Sequence, residues 1–336
     1  CNDSYALWAR RQLGESREGA LLDRMLTRSG IGNRYSVLSN DDTQLADGSF
    51  YAAPEPPGTA ARMAVYAAKA PELALQACEQ LDGLERITHI VLASCTGFMA
   101  PGLDQVVARR LGLLPTVERT VIGFMGCYAG VTALRSAGHI VRSDPAARVL
   151  VIAVELCSLH LQPSTKLERL LAMAQFADGA AAAIVSAEGP GLALDDGVSL
   201  TLEESHELIT WAIGDIGFEM ALSGEVPGRL GEALADPKVA QVLTGGKPVE
   251  AIEAWAIHPG GRSILDAVER GLDLPSDKLA ASRGVLQDFG NMSSATVLFV
   301  LKRLMEEHPA SGLAMAFGPG LALEGLRFGW TEGHVG

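Results

Sequence analysis

The sequence contains no C-x-x-C pair, no H-x-x-x-H and no cysteine cluster. Its five cysteines, Cys1, Cys78, Cys95, Cys127 and Cys157, are odd in number and widely scattered. These absences exclude a disulfide framework and a zinc site, and they fit reduced thiols in a cytoplasmic protein with no bound metal. No apolar run nears the roughly 20 residues of a membrane helix. The run VLVIAVELC is broken by Glu155, and no signal peptide is visible. Positive charge is also short. The 27 Lys and Arg residues against 40 Asp and Glu leave a net charge of −13, which argues against nucleic acid or an anionic membrane as partner.

What is present describes a globular chain of one or two domains. It has 336 residues, of which 48% are apolar and 20% charged, enough to bury a large core. The first 35 residues read as helical, with Leu21, Leu22, Met25 and Leu26 on one face and Arg24 and Arg28 on another. Asp41 to Gly58 is a Pro/Gly-rich loop, and an Ala-rich helix follows from Thr59. Strands are predicted in ITHIVLASC, TVIGFMG, RVLVIAVEL and the run after FADG, with helices over GLDQVVARRLGL and from Cys127 between them. The pattern then returns. EAWAIHPGG reads as strand and turn, RSILDAVERGL as helix, GVLQDFG as a run into a turn, and NMSSATVLFVLKRLMEE as helix. GLAMAFGPG and ALEGLRFGW are closing strands. Alternating strands and helices predict an α/β fold with mostly parallel sheets covered on both faces. The run Phe124-Met125-Gly126-Cys127 before an Ala-rich helix parallels Phe289-Gly290-Asn291-Met292 before a Ser/Ala-rich one, a weak internal duplication.

Three residues stand on corners of this pattern. Cys127 follows Gly123 and Gly126 at the start of a helix, where the dipole and free N–H groups favour thiolate. His258 ends the run Trp255-Ala256-Ile257 and precedes Pro259-Gly260-Gly261, at the C-terminal end of a strand, where open α/β sheets bind ligands. Asn291 could cap the following helix or aim a fixed amide donor into a cleft. Taken singly, each has a plainer reading as a packing, turn or capping residue. Together, thiol, imidazole and carboxamide allow two reaction types: hydrolysis, with Asn orienting His, or acyl transfer to Cys followed by carbon–carbon bond formation, with His and Asn stabilising an enolate.

GFMGCYAG, AIHPGG, FGNMSSAT and FGPG (Phe317, Gly318, Pro319, Gly320), in this order, resemble the type III polyketide synthases, the chalcone-synthase-like branch of the thiolase superfamily. SCTGFMAPGLD and ELCSLHLQP resemble the bacterial members, and the likeness runs from about Tyr5 to Trp330. It implies the thiolase fold, two duplicated βαβαβ halves stacked as a five-layer α-β-α-β-α sandwich, with 1–190 carrying the nucleophile and 191–336 carrying His and Asn. It implies that Cys127 carries the acyl chain, that His258 and Asn291 bind the malonyl-CoA thioester, and that no cofactor is used. Phe176 matches an aromatic gate, and Met220 stands where a second gate is phenylalanine. Cys95, Cys157, His160 and Ser293 match cavity-lining positions. Arg24 and Arg28 match a cluster holding CoA phosphates, thinned by Leu21 in place of a lysine. Ala316 replaces the first glycine of a loop continuing through Phe317 to Gly320.

The implied substrates are malonyl-CoA and an acyl-CoA starter, and the implied product a pyrone, resorcinol or polyhydroxy aromatic. The implied assembly is a homodimer in which the loop Phe98 to Leu103 reaches the partner. The rivals are a ketoacyl-ACP synthase III-like enzyme, a Cys-His-Asn hydrolase and an inactive thiolase-fold subunit. Family members usually carry a strand ahead of the first helix. The chain begins at Cys1, almost on that helix, and the expectation is that it starts inside a longer protein.

Overall fold

The computed structural model describes residues 2–38, 49–51 and 55–333. Most of the loop read at Asp41 to Gly58 lies outside the described residues, as does Cys1. The first half runs through helices α1 (Asn2–Leu13), α2 (Arg17–Thr27) and α3 (Thr59–Cys78), strand β1 (His89–Ser94), α4 (Leu103–Arg110) and β2 (Glu118–Gly123). It continues through α5 (Ala129–Ser143), β3 (Val149–Leu156), α6 (Leu167–Met173) and β4 (Asp178–Val185). The second half begins at β5 (Gly191–Thr201), followed by a separate hairpin of β6 (Ile209–Gly214) and β7 (Gly217–Leu222), then α7 (Val226–Ala235) and α8 (Pro237–Thr244). It ends with β8 (Ala254–Ile257), α9 (Arg262–Gly271), α10 (Ala280–Phe289), α11 (Thr296–Met305), β9 (Gly312–Gly318) and β10 (Ala322–Thr331).

Two four-stranded sheets form, ordered β2-β1-β3-β4 and β5-β10-β9-β8. Strands β1, β3, β8 and β9 are largely apolar because both faces are covered, and alternation divides their residues between two cores. In the first sheet Val91, Ala93, Val149, Val151 and Ala153 face inward and pack with α5 and α11. Ile90, Leu92, Leu150, Ile152 and Val154 face outward against Tyr66, Ala70 and Ala74 of α3. In the second sheet Ala254, Ala256, Ala314 and Ala316 share the inner core, while Trp255, Ile257, Leu313 and Met315 pack outward on Leu265 and Val268 of α9 and Leu286 of α10. The order is therefore helix, sheet, helix pair, sheet, helix. The helix pair α5 and α11 occupies the centre.

Several sequence expectations are corrected. The first sheet is parallel except for β3–β4, but in the second only β8 and β9 are parallel, and β10 runs antiparallel to both neighbours. The cause is the short 3-10 turn Pro319–Leu321, which leaves no room for a crossover between β9 and β10. GVLQDFG is the end of helix α10, not a run into a turn. The helical N-terminal segment is two helices, broken at Gly14 (φ 62°) and restarted by Ser16, whose side chain accepts from the Gly19 N–H. The helices expected from Cys127 and after Asn291 start later, each preceded by a 3-10 turn, Gly126–Tyr128 and Ser293–Ala295.

Those two turns meet at the centre of the molecule. A Cβ on Gly130 of α5 would overlap the carbonyl oxygen of Ser294. Gly130→Ala should therefore cost about 1–3 kcal/mol by overpacking a rigid contact, measured as a lowered thermal midpoint. An unchanged midpoint would mean that the two backbones have room between them.

Candidate active site

The corner at Cys127 is built by close backbone approach. Phe124 (φ 56°) and Gly126 (φ 79°) turn the chain out of β2. A Cβ on Gly126 would run into the Pro319 ring, and one on Gly318 would lie 2.7 Å from the Tyr128 ring. The loop after β2 thus rests directly on the loop after β9. Cys95 fixes it further, its Sγ accepting from the Gly126 N–H at 3.0 Å. Cys127 is half-buried and lines a cavity of about 510 Å³.

The second half supplies the facing groups. His258 follows β8, its backbone N–H donating to the Met315 carbonyl at 2.8 Å. Its ring is buried, and neither nitrogen has a hydrogen-bond partner among the described residues. Asn291 is held at both ends of its amide. Its Nδ2 donates to the Gly260 carbonyl at 3.1 Å, and its Oδ1 accepts from the Ser293 N–H at 2.8 Å. Ser293 and Asn291 line the same cavity as Cys127. Asn291 leaves a helix, not a strand as the duplication suggested, and forms a one-residue parallel bridge with Phe176. It caps its turn and faces the cavity at once.

Burial dominates the electrostatics. It pushes the Cys127 thiol up to about 12, offset in part by the bond from Ser293 and reinforced by Glu155. It pushes His258 down to about 3. Burial works against the thiolate expected at this corner, and α5 begins only at Ala129, past the sulfur. It favours a thiol and a neutral imidazole.

Glu155 is a site residue that the motifs did not flag, although it is visible as the one charge in an apolar strand. It is buried, accepts from the Cys95 N–H at 2.9 Å and the Thr96 hydroxyl at 2.8 Å, and takes the Ser294 hydroxyl from the other half. Burial pushes its carboxyl up to about 7, against those hydrogen bonds.

The same cavity gathers Cys95, Cys157, Phe176 and Met220 with Cys127, His258 and Asn291. Ser293, Phe317, Gly318 and Pro319 also line it, but Gly320 does not. His160 stands outside it. Its ring stacks on Phe218 at 4.2 Å, Nε2 donates to the Thr96 carbonyl at 2.7 Å, and Nδ1 accepts from the Phe218 N–H at 3.0 Å. Arg24 and Arg28 are exposed on α2 and its C-cap, either side of Met25, which does line the cavity. Arg262 reaches the same place, donating to the Arg28 carbonyl at 3.3 Å. Trp211 carries no sequence signal of its own. It lines the cavity from the hairpin and donates from Nε1 to the Cys95 carbonyl at 3.1 Å.

Residues 12–189 match the family model for the N-terminal domain of chalcone and stilbene synthases, and residues 193–329 match that for the C-terminal domain. The chain belongs to this family. A Mycobacterium tuberculosis protein named alpha-pyrone synthesis polyketide synthase-like Pks18 is 34% identical over 251 residues, 71% of this chain and 64% of that protein. The match thus spans somewhat under two thirds of that relative. The bisdemethoxycurcumin synthase of Oryza sativa is 33% identical over 93% of this chain and 83% of its own. Among solved structures, PKS-I of the brown alga Ectocarpus siliculosus superposes with a TM-score of 0.89 at 31% identity, covering 98% of this chain and 94% of the other. The 1,3,6,8-tetrahydroxynaphthalene synthase of Streptomyces coelicolor gives 0.87 at 28% identity, over 98% and 95%. The layered architecture is the thiolase fold. Membership in the family sets aside the ketoacyl synthase and hydrolase readings.

A resting thiol has a pH signature. Below its pKa the thiolate fraction rises tenfold per pH unit, so alkylation of Cys127 by iodoacetamide, followed by mass spectrometry, should accelerate about tenfold from about pH 7 to 8 and again to about 9. A rate already level at neutral pH would show a standing ion pair with His258.

Proposed function

We propose that this chain is a type III polyketide synthase, an acyltransferase that condenses malonyl-CoA repeatedly onto an acyl-CoA starter. One observation carries the reading: a buried imidazole with both nitrogens unpartnered lines the same cavity as a fixed carboxamide and a thiol. Leaving such a ring unpaired costs stability, and active sites are where that cost is retained.

Neutral His258 takes the Cys127 proton as the sulfur attacks the starter thioester. The sulfur–carbon bond forms, the bond to CoA breaks, and the proton departs with CoA as its thiol. Because the proton passes within the site, the two charges arise as a pair and neither is buried alone. Malonyl-CoA then loses CO₂, and the electron pair of the broken carbon–carbon bond becomes an enolate. N–H donors of His258 and Asn291 hold its oxygen. The enolate carbon attacks the acyl–Cys127 carbonyl, forming the new carbon–carbon bond and releasing the sulfur for reloading.

Phe176 and Met220 serve as gates, and Cys95, Cys157 and Ser293 as cavity walls. The Phe317 to Gly320 loop shapes closure to a pyrone, resorcinol or polyhydroxy aromatic. Arg24 and Arg28, joined by Arg262, receive the CoA phosphates at the mouth. No cofactor is required beyond the CoA thioesters, which are substrates. The free thiols support a cytoplasmic location. Among the described residues, no helix is long and apolar enough to cross a membrane.

The test is turnover with malonyl-CoA and an acyl-CoA panel, without carrier protein. Cys127→Ala should lose condensation by at least about a thousandfold yet still convert malonyl-CoA to acetyl-CoA and CO₂. Asn291→Ala should lose both. Condensation by Cys127→Ala would refute the covalent step.

A homodimer is part of the same proposal. Strand β2 is an edge paired only with β1, and Val121 on it is 53% exposed. Phe98, in the loop expected to reach the partner, is 48% exposed. Unpaired edges with apolar side chains are templates for a second chain. Val121→Glu should shift the mass in light scattering from two chains to one. A wild-type protein of single-chain mass would remove the proposal.

A further inference from the structure

Gln175 touches both of the turns that bring His258 and Asn291 to the cavity. It lies between α6 and Phe176, is half-buried, and lines the same cavity as Cys127. Its segment is anchored from the first half of the chain. Arg34 donates to the Phe176 carbonyl at 3.0 Å and to the Met173 carbonyl at 3.4 Å.

The main chain of this segment holds Asn291. The Asn291 N–H donates to the Gln175 carbonyl at 2.9 Å, and the Ala177 N–H donates to the Asn291 carbonyl at 2.8 Å. Both backbone polar groups of Asn291 are thus engaged by the two residues flanking Phe176. Gly290 permits the approach. It sits at φ 73°, and a Cβ there would lie 3.2 Å from the Gln175 carbonyl oxygen.

The side chain of Gln175 runs to the other turn. A Cβ on Gly261 would lie 2.0 Å from Gln175 Oε1, so the carboxamide rests on bare backbone there. Its Nε2 reaches back to the Leu171 carbonyl of α6 at 3.5 Å. Gly261 adjoins Gly260, whose carbonyl takes Asn291 Nδ2 at 3.1 Å and whose N–H donates to the His258 carbonyl at 2.9 Å. One residue therefore braces the His258 turn with its side chain and Asn291 with its carbonyl. Close-packed contacts of this kind transmit displacement.

The two steps of the reaction depend on that brace differently. Starter transfer uses His258 at the sulfur. Enolate formation needs N–H groups of both His258 and Asn291 to converge on one oxygen, and such stabilisation falls steeply when a donor leaves hydrogen-bond range. We propose that Gln175 is a positioning residue that sets the spacing of His258 and Asn291 for decarboxylation of malonyl-CoA. This rests on the synthase reading above and adds a residue to it.

The experiment uses Cys127→Ala protein, in which conversion of malonyl-CoA to acetyl-CoA reports on His258 and Asn291 without condensation. Adding Gln175→Ala should lower kcat about tenfold and leave KM for malonyl-CoA within about twofold. Gln175→Met keeps the reach of the side chain without its amide and should recover kcat to within about threefold of the parent. Gly261→Ala should lower kcat by displacing the carboxamide, and Gln175→Ala with Gly261→Ala should be no slower than the slower single variant, because both break one contact. With Cys127 intact, Gln175→Ala should leave iodoacetamide alkylation of the thiol within about twofold. An unchanged kcat, a loss confined to KM, no recovery with methionine, additive losses, or alkylation slowed as much as decarboxylation would each overturn the inference. A Cys127→Ala parent that forms no acetyl-CoA would sink the synthase reading and the inference with it. An active parent indifferent to Gln175 would sink the inference alone.

Discussion

Three glycines let the two halves of the chain meet closely at the centre of this molecule. Gly126 lies on Pro319, Gly318 on Tyr128, and Gly130 on the Ser294 carbonyl. Each contact joins the first half of the chain to the second. A methyl group at any of them would push the turn carrying Cys127 away from the turn carrying Asn291 and Ser293. Hydrogen bonds of ordinary length tolerate little such movement. The geometry of the site is therefore set by packing of the fold's two halves, with catalytic side chains carried on turns that have no freedom to shift independently.

The same burial that fixes the geometry sets the chemistry. Burial works against the charged forms of Cys127, His258 and Glu155 alike. Single charges are disfavoured, and paired or transient ones gain from the low dielectric. Glu155 adds a link of another kind. It ties the end of β1, through Cys95 and Thr96, to Ser294 on the turn preceding α11. Removing it would free a strand end in one half and a turn in the other, though it touches no substrate. It is best regarded as a positioning residue for both.

Much of this was legible because local signals and tertiary demands coincide. The strands of the first sheet are short apolar runs, since both faces are buried, and their composition marks them without ambiguity. The trio was legible because each member sits at the end of such an element. The misreadings share a cause. Periodicity reports that a segment is helical, but not where a 3-10 turn replaces its first residues, and so Cys127 precedes α5 where the pattern puts it inside. Gly284 to Phe289 reads as a run into a turn because only Val285 and Leu286 there are buried, too few to show a helical period. Trp211 and the hairpin around it leave no trace in a periodic pattern, since half the strand is exposed and its role comes from contacts distant in sequence.

That hairpin changes how the site should be understood. Among the described residues β6 and β7 pair only with each other, yet they deliver Trp211 and Met220 to the wall of the cavity that Cys127 lines. Cys127, His258 and Asn291 stand on the rigid central layers, where a substitution disturbs both halves. The wall carrying Trp211 and Met220 stands on a two-stranded element outside both sheets, where side chains can change at little cost to the core. The trio and that wall thus rest on parts of the fold with very different tolerance. A chain of this architecture can keep the geometry around Cys127 while the shape of its cavity drifts, because Met220 and Trp211 are held by the hairpin and Cys127 is held by everything else.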